Sequence, residues 1–266
     1  MKIPLTSGDW SEWQPWLAAR AGELATAVAF STRVPLPFPS AESGGVAALG
    51  PSAWALPLAG LLVGIAGAAV FALAHHLGIP DWPAAALAVA ATMALTGCLH
   101  EDGLADTVDG FGGGATREQK LHIMRDSRIG TYGVAVLALS ILIRAGAIAS
   151  FPDTSAVAWA LIAAHVAARA TLPLLMFAVA PARSDGLSFT AGRPPAGSAA
   201  AAALLGVLVL IIGLGFLRAL ETVVALAILL FLIARLSTQQ IGGQTGDVLG
   251  ALEQISEIVV LLVAAR

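Results

Sequence analysis

The chain has 266 residues, of which 58% are hydrophobic and only 12% are charged, and its formal net charge at neutral pH is −3. Soluble domains carry about a quarter charged residues, so this composition, with a mean hydropathy of +0.84, excludes an ordinary water-soluble globule and favours a protein surrounded by a lipid bilayer. The small net charge gives no indication of nucleic-acid binding, and Cys98, as the only cysteine, excludes an internal disulfide.

The amino-terminal segment lacks the basic-then-apolar order of a signal peptide. Trp10, Trp13 and Trp16 recur every three residues, which is typical either of a short helix in the lipid headgroup region or of a locally packed terminal helix. Residues 21–30 are apolar but too few to cross a membrane, so we expect a re-entrant or interfacial segment. We therefore predict that residues 1–50 form a cytoplasmic or interfacial region.

Seven later stretches are apolar enough to be membrane spans, for which roughly 20 residues are needed. They are residues 53–74, 83–99, 131–150, 155–180, 199–217, 222–234 and 248–265. The sixth is short, and the seventh contains two glutamates. The pattern predicts an all-α, polytopic transmembrane helix bundle of about seven spans, built as a single domain over residues 1–266. Cys98 lies in one of these runs, where we expect a packing residue.

The basic residues of the connecting segments orient this bundle. Because successive spans reverse direction, most of these basic residues fall on one side of the membrane. The opposite side holds only Arg218 and Arg266. Because loops rich in Lys and Arg stay in the cytoplasm, we expect a multi-pass protein of the bacterial inner membrane with its polar motifs facing the cytoplasm.

The most informative motif is LHEDGLADTVDGFGGG, residues 99–114, within a predicted Asp-rich cytoplasmic loop of residues 100–130. Asp102, Asp106 and Asp109 fall at i, i+4 and i+7, so they share one face of a helix. Stacked carboxylates repel one another unless a cation lies between them, and oxygen ligands suit Mg²⁺ or Mn²⁺. Glu101 is a fourth candidate ligand, although its side chain should point elsewhere on the helix. The alternative is a solvated acidic helix end.

The next motif is EQKLHIMRDSRIGTYG, residues 118–133. Arg128, Gly130 and Thr131 offer the guanidinium, backbone N–H and hydroxyl groups that bind phosphate. Asp126 could be a metal ligand or could hold an arginine in place. The alternative is a basic anchor ahead of the third span.

The third motif, GGQTGDVLGALEQISE, covers residues 242–257 and enters the last span. Glu253 and Glu257 lie four residues apart on one helix face, and acids inside an apolar helix need a polar cavity or a partner. Arg144 and Arg169 are the buried charges that could pair with them, or bind an anion, and structural pairing is favoured. With Asp247 at its entry, this second acidic patch is expected to converge with the first, unless the segment is an interfacial helix with its acids in water.

Carboxylates, arginines and glycines on one side of a membrane indicate phosphate or diphosphate chemistry. All three motifs resemble those of the adenosylcobinamide-GDP ribazoletransferase family, also called cobalamin synthase. Two further matches are STRVPLP, residues 31–37, with Thr32 and Arg33, and PARSDGL, residues 181–187, with Arg183 and Gly186. The similarity runs from about residue 25 to the end. Glu101 stands where the family is expected to have leucine in His-Leu-Asp-Gly, and every motif aspartate is retained.

The resemblance implies that α-ribazole or its 5′-phosphate attacks adenosylcobinamide-GDP and releases GMP, with Mg²⁺ as the cofactor. It implies metal ligation by the aspartates and catalytic roles for Asp126, Asp247 or Glu253, as further ligands or as the base. The expected substrate-binding residues are Thr32, Arg33, Arg128, Gly130, Thr131, Arg183, Gln244, Thr245 and Gly246. Oligomeric state stays open, including a homo-oligomer or association with other cobalamin-assembly enzymes.

Three other classes share parts of this pattern. A CDP-alcohol phosphotransferase should have Ala-Arg after Asp-Gly-x-x, where this chain has Ala105 and Asp106. A polyprenyl transferase should have a paired second Asp-rich motif, which residues 242–257 match only loosely. A cation transporter would explain acids in the last span, but not the glycine- and arginine-rich loops beside the acidic motif.

Overall fold

The computed structural model describes residues 10–36 and 49–266, and these residues are almost entirely helical. The chain starts with α1 (Trp10–Ser31) and, after the gap, α2 (Leu49–Ser52), a 3₁₀ turn (Ala53–Ala55) and α3 (Leu56–His76). The remaining helices are α4 (Asp81–Thr96), α5 (Leu99–Gly113), α6 (Arg117–Ile123), α7 (Thr131–Ala149), α8 (Thr154–Ala178), α9 (Gly186–Ala191), α10 (Ala196–Leu214), α11 (Phe216–Ile241) and α12 (Gly246–Ala264).

Five segments are long and apolar enough to cross a membrane: Leu49–His76, α7, α8, α10 and α11. A sixth span is possible if α4 and α5, which meet at an angle of 91°, are counted as one broken span. The all-α membrane bundle is thereby confirmed, but the count of seven spans is not. The difference lies partly in α12, whose 19 residues include Asp247, Glu253 and Glu257.

Two predicted segments have different bounds in the structure. The sixth span is not short, because α11 continues well beyond residues 222–234 over 26 residues. Arg218, Glu221 and Arg235 bounded the apolar run in the sequence, but charged side chains are compatible with the outer turns of a long helix. At the amino terminus, the tryptophans and the apolar stretch belong to one helix, α1, in which Trp13 and Trp16 meet edge to face at 6.0 Å. The predictions for residues 1–9 and 37–48 lie outside the described residues.

Helix α8 is the centre of the bundle. In the most apolar 18-residue stretch of α8, 83% of the residues are buried. The corresponding share in α11, which lies at the periphery, is 17%. Glycines let α3 pack directly on α8: a Cβ atom on Gly60 would lie 2.3 Å from the carbonyl oxygen of His165, and one on Gly64 would lie 2.7 Å from the Cα of Ile162. The glycines of α3 therefore let its backbone approach that of α8 closely, as small residues do at helix contacts in membranes.

A second glycine contact joins the two acidic helices, α5 and α12. A Cβ on Gly103 would lie 2.9 Å from the carbonyl oxygen of Asp247 and 3.1 Å from the Cα of Gly250. Because neither glycine has a side chain, the two backbones touch at this crossing. The crossing brings the first turns of α5, with Asp102, to the first turn of α12, with Asp247.

The connecting segments near these helix ends are tied together by backbone contacts. Arg117 donates from Nε to the carbonyl of Ile241 at 2.7 Å and also donates to the carbonyl of Ala182. The N–H of Ala182 donates to the carbonyl of Gln244 at 2.7 Å. The start of α6, the segment after α8 and the α11–α12 turn thus meet at one end of the bundle, as the alternation of basic loops predicted.

Candidate functional site

The acidic face of α5 is the first component of the site. The Asp102 side chain is exposed and Asp106 is half-buried. Within residues 10–36 and 49–266, neither carboxylate accepts a hydrogen bond or forms an ion pair. Instead Asp106 lies in the electrostatic field of Asp102, Asp109 and Asp247. Two unpartnered carboxylates beside further negative charge are the arrangement that a bound cation would stabilise.

Asp109 has a different environment from its two neighbours on this face. It is buried, and its carboxylate accepts the N–H of Gly130 at 2.7 Å and the N–H of Gly133 at 2.9 Å. A Cβ on Gly133 would lie 2.3 Å from this carboxylate, which is why glycine is required there. Asp109 thus satisfies free N–H groups at the start of α7. The N–H of Gly130 was predicted to bind phosphate but donates to Asp109. Thr131 is the first residue of α7 and is exposed.

The start of α12 is the second component. Thr245 caps this helix, since its hydroxyl oxygen accepts the N–H of Val248 at 3.3 Å. The same hydroxyl donates to Asp247 at 3.1 Å, and Arg183 approaches the same carboxylate at 3.7 Å. Gln244 is buried and accepts a hydrogen bond from Ser188 at 2.6 Å. Asp247 and Arg183 therefore form a polar pair, while the predicted binding residues Gln244 and Thr245 fix the local backbone.

Both components open onto one cavity of about 170 Å³. Its polar lining is His100, Asp102, Arg183, Ser188 and Asp247, with Gly103, Gly246 and Gly250 beside them. The rest of its wall is apolar and comes from α1, α2, α3, α8, α9 and α12 as well as from Leu99 of α5. Of the two acidic patches that were expected to converge, Asp102 and Asp247 line this one cavity, whereas Glu253 and Glu257 do not.

Glu253 lies deeper, away from this lining. Its carboxylate is fully buried and pairs with Arg169 at 2.6 Å, and the Nδ1 atom of His100 lies 3.5 Å from it. For a fully buried carboxylate that is paired with an arginine, a structural role is favoured over a role as a proton acceptor. His100 contacts both regions, because it also lines the cavity.

Glu101, which adjoins the acidic face in sequence, turns toward the same buried region. Arg144 bonds to Glu101 at 3.1 Å and to Glu257 at 3.3 Å, and all three side chains are buried. The predicted pairing of the buried arginines with the α12 glutamates is confirmed. Glu101 itself faces away from Asp102, so its geometry does not support a shared metal site.

The structure also contains a group of potential metal ligands that the sequence did not indicate. Among the residues described, His165, Glu253 and Glu257 place one ligand atom each within 4.8 Å of one another. Arg144 and Arg169 neutralise the two carboxylates, however, and the small space beside them has no room for a water molecule. These residues are therefore a buried ion-pair network that joins α5, α7, α8 and α12.

The second motif lies at the surface. The Arg128 side chain is 87% exposed and holds Asp126 at 2.7 Å. Its hydrogen bonds lower the pKa of Asp126 to about 2. Such a carboxylate is a weak base at neutral pH, because a general base works best with a pKa near the working pH. Of the two roles that the sequence left open for Asp126, the structure favours holding an arginine in place.

The STRVP segment reaches the bend between α4 and α5. The Thr32 hydroxyl donates to the carbonyl of Val28 at 2.7 Å, so it completes α1 and is not free for a substrate. The N–H of Arg33 donates to the carbonyl of Leu95 at 2.7 Å, and its exposed side chain lies against Gly97. The residue after this glycine, Cys98, is exposed and has a φ of 58°, so the prediction that it packs in an apolar run was wrong.

The sequence did not reveal the apolar wall of the cavity. Its members come from seven different helices and share no motif spacing. His100 lies within the LHEDGLADTVDGFGGG motif, but its contacts with both the cavity and Glu253 depend on the packing of α5 against α12. No pattern within one helix could have indicated them.

An all-helical bundle with several membrane spans, and a cavity at one end lined by carboxylates and an arginine, defines the class of integral-membrane helix-bundle proteins. Residues 23–265 match the family model described as Cobalamin-5-phosphate synthase. The chain belongs to that family, as the motifs predicted.

Curated relatives extend this result over most of the chain. A protein of Bradyrhizobium diazoefficiens named Adenosylcobinamide-GDP ribazoletransferase is 54% identical over 230 residues, 86% of this chain and 88% of the relative. Proteins of the same name from Mesorhizobium japonicum and Azorhizobium caulinodans are 50% and 47% identical, covering 91% and 90% of this chain and 92% and 94% of their own lengths. No solved structure matches the chain.

Proposed function

We propose that this protein transfers α-ribazole, or its 5′-phosphate, onto adenosylcobinamide-GDP. The reaction releases GMP and forms adenosylcobalamin or its 5′-phosphate, which completes the nucleotide loop. Family membership supports the reaction, and one structural observation supports its location. Asp102, Arg183 and Asp247, from three different segments of the chain, line the same cavity.

The donor set of α5 fits Mg²⁺. This ion is usually held by one or two carboxylates, with substrate phosphates and water completing its shell. Asp102 and Asp106 are the carboxylates without protein partners in the described structure, whereas Asp109 and Glu101 are occupied by Gly130 and Arg144. Bound there, Mg²⁺ would screen the charge of the diphosphate and of the leaving GMP.

The acceptor hydroxyl needs a group that takes its proton. Asp247 is suited to this role because it lines the cavity and is held by Thr245 and Arg183. The ribose oxygen forms the new P–O bond, the P–O bond to GMP breaks, and the hydroxyl proton passes to Asp247. The other two candidates are less suited because neither lines the cavity: Asp126 lies near the surface with Arg128, and Glu253 is fully buried with Arg169.

A turnover assay on the purified protein in detergent or liposomes tests this function. With adenosylcobinamide-GDP, α-ribazole phosphate and Mg²⁺, we expect GMP and a corrinoid product. EDTA and Asp106→Ala should each abolish turnover, and Asp247→Asn should lower kcat by roughly 10²–10⁴-fold. Glu221→Gln, an exposed acid paired with Arg266, is the matched control and should keep full activity. Absence of product from folded wild-type protein would refute the function.

The site end of the bundle is expected to face the cytoplasm of the inner membrane. Arg117, Arg125 and Arg183 all lie there, and basic loops are retained inside. In a Cys98→Ala background, an impermeant maleimide should label Ser155→Cys in intact spheroplasts but Ser184→Cys only after lysis. Both serines are exposed. The reverse labelling pattern would refute this orientation.

A further inference from the structure

The cavity beside Asp247 has two contrasting sides. Its apolar wall contains Leu49, Leu56, Leu172, Met176 and Ala191, each of which is no more than 7% exposed. Its polar side contains Arg183 and Asp247, whose side chains are 17% and 21% exposed. These five residues of the wall therefore lie in the protein interior, whereas Arg183 and Asp247, together with the partly exposed Leu187, lie nearer the solvent.

We infer that this cavity binds the aromatic base of the ribazole substrate, so that the apolar wall selects a flat, weakly polar heterocycle. The inference rests on the proposed function. According to this inference, the base of ribazole occupies the cavity, and the corrin ring of the other substrate lies outside it.

Volume is the first argument. An apolar protein cavity of about 150 Å³ accepts benzene, whereas pockets for drug-sized ligands measure about 300–1,000 Å³. The cavity here, about 170 Å³, has room for one flat aromatic group. A corrin macrocycle is far larger than this space.

Polarity is the second argument, and it separates the two bases present in the substrates. Guanine carries several hydrogen-bonding groups, and each one buried without a partner costs about 1–3 kcal/mol. The side chains of Leu56, Leu172 and Met176 offer no such partners. The buried polar residues of the lining are engaged elsewhere, since Ser188 donates to Gln244 at 2.6 Å and the Nδ1 atom of His100 lies 3.5 Å from Glu253. The benzimidazole of ribazole carries methyl groups and few polar atoms, so burying it gains free energy from the hydrophobic effect.

The position of the polar side is the third argument. A base inserted against Leu172 leaves its attached ribose at the mouth of the cavity, where Asp247 and Arg183 lie. A ribose hydroxyl would then be next to the carboxylate that we propose as its proton acceptor. Asp102, on the same lining, connects this position to the acidic face of α5.

Filling the cavity tests the inference. Ala191→Leu adds three carbon atoms to the wall, and Ala200→Leu makes the same change at an exposed position of α10. We expect Ala191→Leu to raise KM for α-ribazole phosphate at least about tenfold, within the range that misfit methylenes produce. KM for adenosylcobinamide-GDP should stay within about twofold of wild type, and the control should change neither.

Equilibrium binding of α-ribazole, followed by the fluorescence of its base without the corrinoid substrate, gives a readout independent of turnover. Ala191→Leu should weaken it to a similar degree. If Ala191→Leu does not fold, Leu187→Trp is the second variant, because Leu187 is a cavity residue that is 46% exposed and tolerates a larger side chain.

The outcomes separate the two hypotheses. Unchanged ribazole binding in a folded variant, or a selective rise in KM for adenosylcobinamide-GDP, would overturn the cavity assignment while the reaction stands. A wild-type protein that binds ribazole but forms no product would instead refute the proposed function. Loss of ribazole binding together with retained corrinoid KM supports the inference.

Discussion

The carboxylate of Asp109 accepts the backbone N–H of Gly130 at 2.7 Å, although the two residues are 21 positions apart. With its second bond, to Gly133 at 2.9 Å, this side chain acts as the cap of α7. A residue that the sequence places among metal ligands therefore has a structural role that can be measured separately.

Replacing Asp109 tests that role. Asp109→Ala should lower the free energy of unfolding by about 1–2 kcal/mol, as removal of a helix cap does, and so lower the unfolding temperature in detergent. Asp106→Ala should leave that temperature unchanged or raise it, since it relieves repulsion among the acids, while abolishing turnover. An Asp109→Ala protein of wild-type stability that fails to bind Mg²⁺ would instead support the metal role.

The crossing of α5 and α12 at Gly103 should be intolerant of any side chain. Gly103→Ala would push a Cβ to 2.9 Å from the Asp247 carbonyl, and overpacking of this kind costs about 1–3 kcal/mol. We expect reduced stability and a lower kcat, because Asp102 and Asp247 are moved apart. Gly146→Ala is the control, since its Cβ meets nothing within 4 Å. Comparable activity of the two variants would contradict a tight crossing.

The buried pair of Arg169 and Glu253 should show strong coupling. Arg169→Met leaves Glu253 buried without its partner, which costs about 3–5 kcal/mol. Adding Glu253→Leu removes the stranded charge and should restore much of the expression level and unfolding temperature. Activity of the double variant then decides the role of Glu253. Turnover near wild type means a structural pair, whereas a stable but inactive protein would show that turnover requires Arg169 or Glu253 beyond their mutual pairing.

The pH dependence should not involve Asp126. Hydrogen bonds from Arg128 lower its pKa from 3.8 to about 2. A carboxyl group with a lowered pKa in the folded state stabilises the protein above its unfolded pKa, and this contribution is lost as the pH falls toward 2. Asp126 thus stays ionised at every pH at which turnover is measurable. Asp126→Asn should leave the acidic midpoint in the pH profile of kcat unchanged. Loss of the acidic limb of this profile would identify Asp126 as the base.

Local patterns predicted the helices and the buried pairs well. The i, i+4, i+7 spacing placed the three aspartates on a helix, and the cost of buried charge predicted partners for Arg144 and Arg169. Both conclusions depend on spacing within one helix or on composition, which a single sequence contains.

Contacts between distant segments were beyond the sequence. The spacing around Asp109 defines a helix face but not the element opposite, so its bonds to Gly130 and Gly133 could not be foreseen. Thr32 was expected to bind substrate because it lies in the STRVPLP stretch that resembles the family, yet its hydroxyl closes the last turn of α1. The apolar cavity depends on how seven helices assemble, which no motif encodes.

The bend between α4 and α5 carries the only thiol of the chain. Cys98 is exposed and has a left-handed backbone conformation, one residue before the helix that bears the aspartates. A spin label or fluorophore can therefore be attached at the bend before the acidic helix without first removing other cysteines. The otherwise native protein can then report, by spectroscopy, whether the surroundings of this bend change when substrates bind.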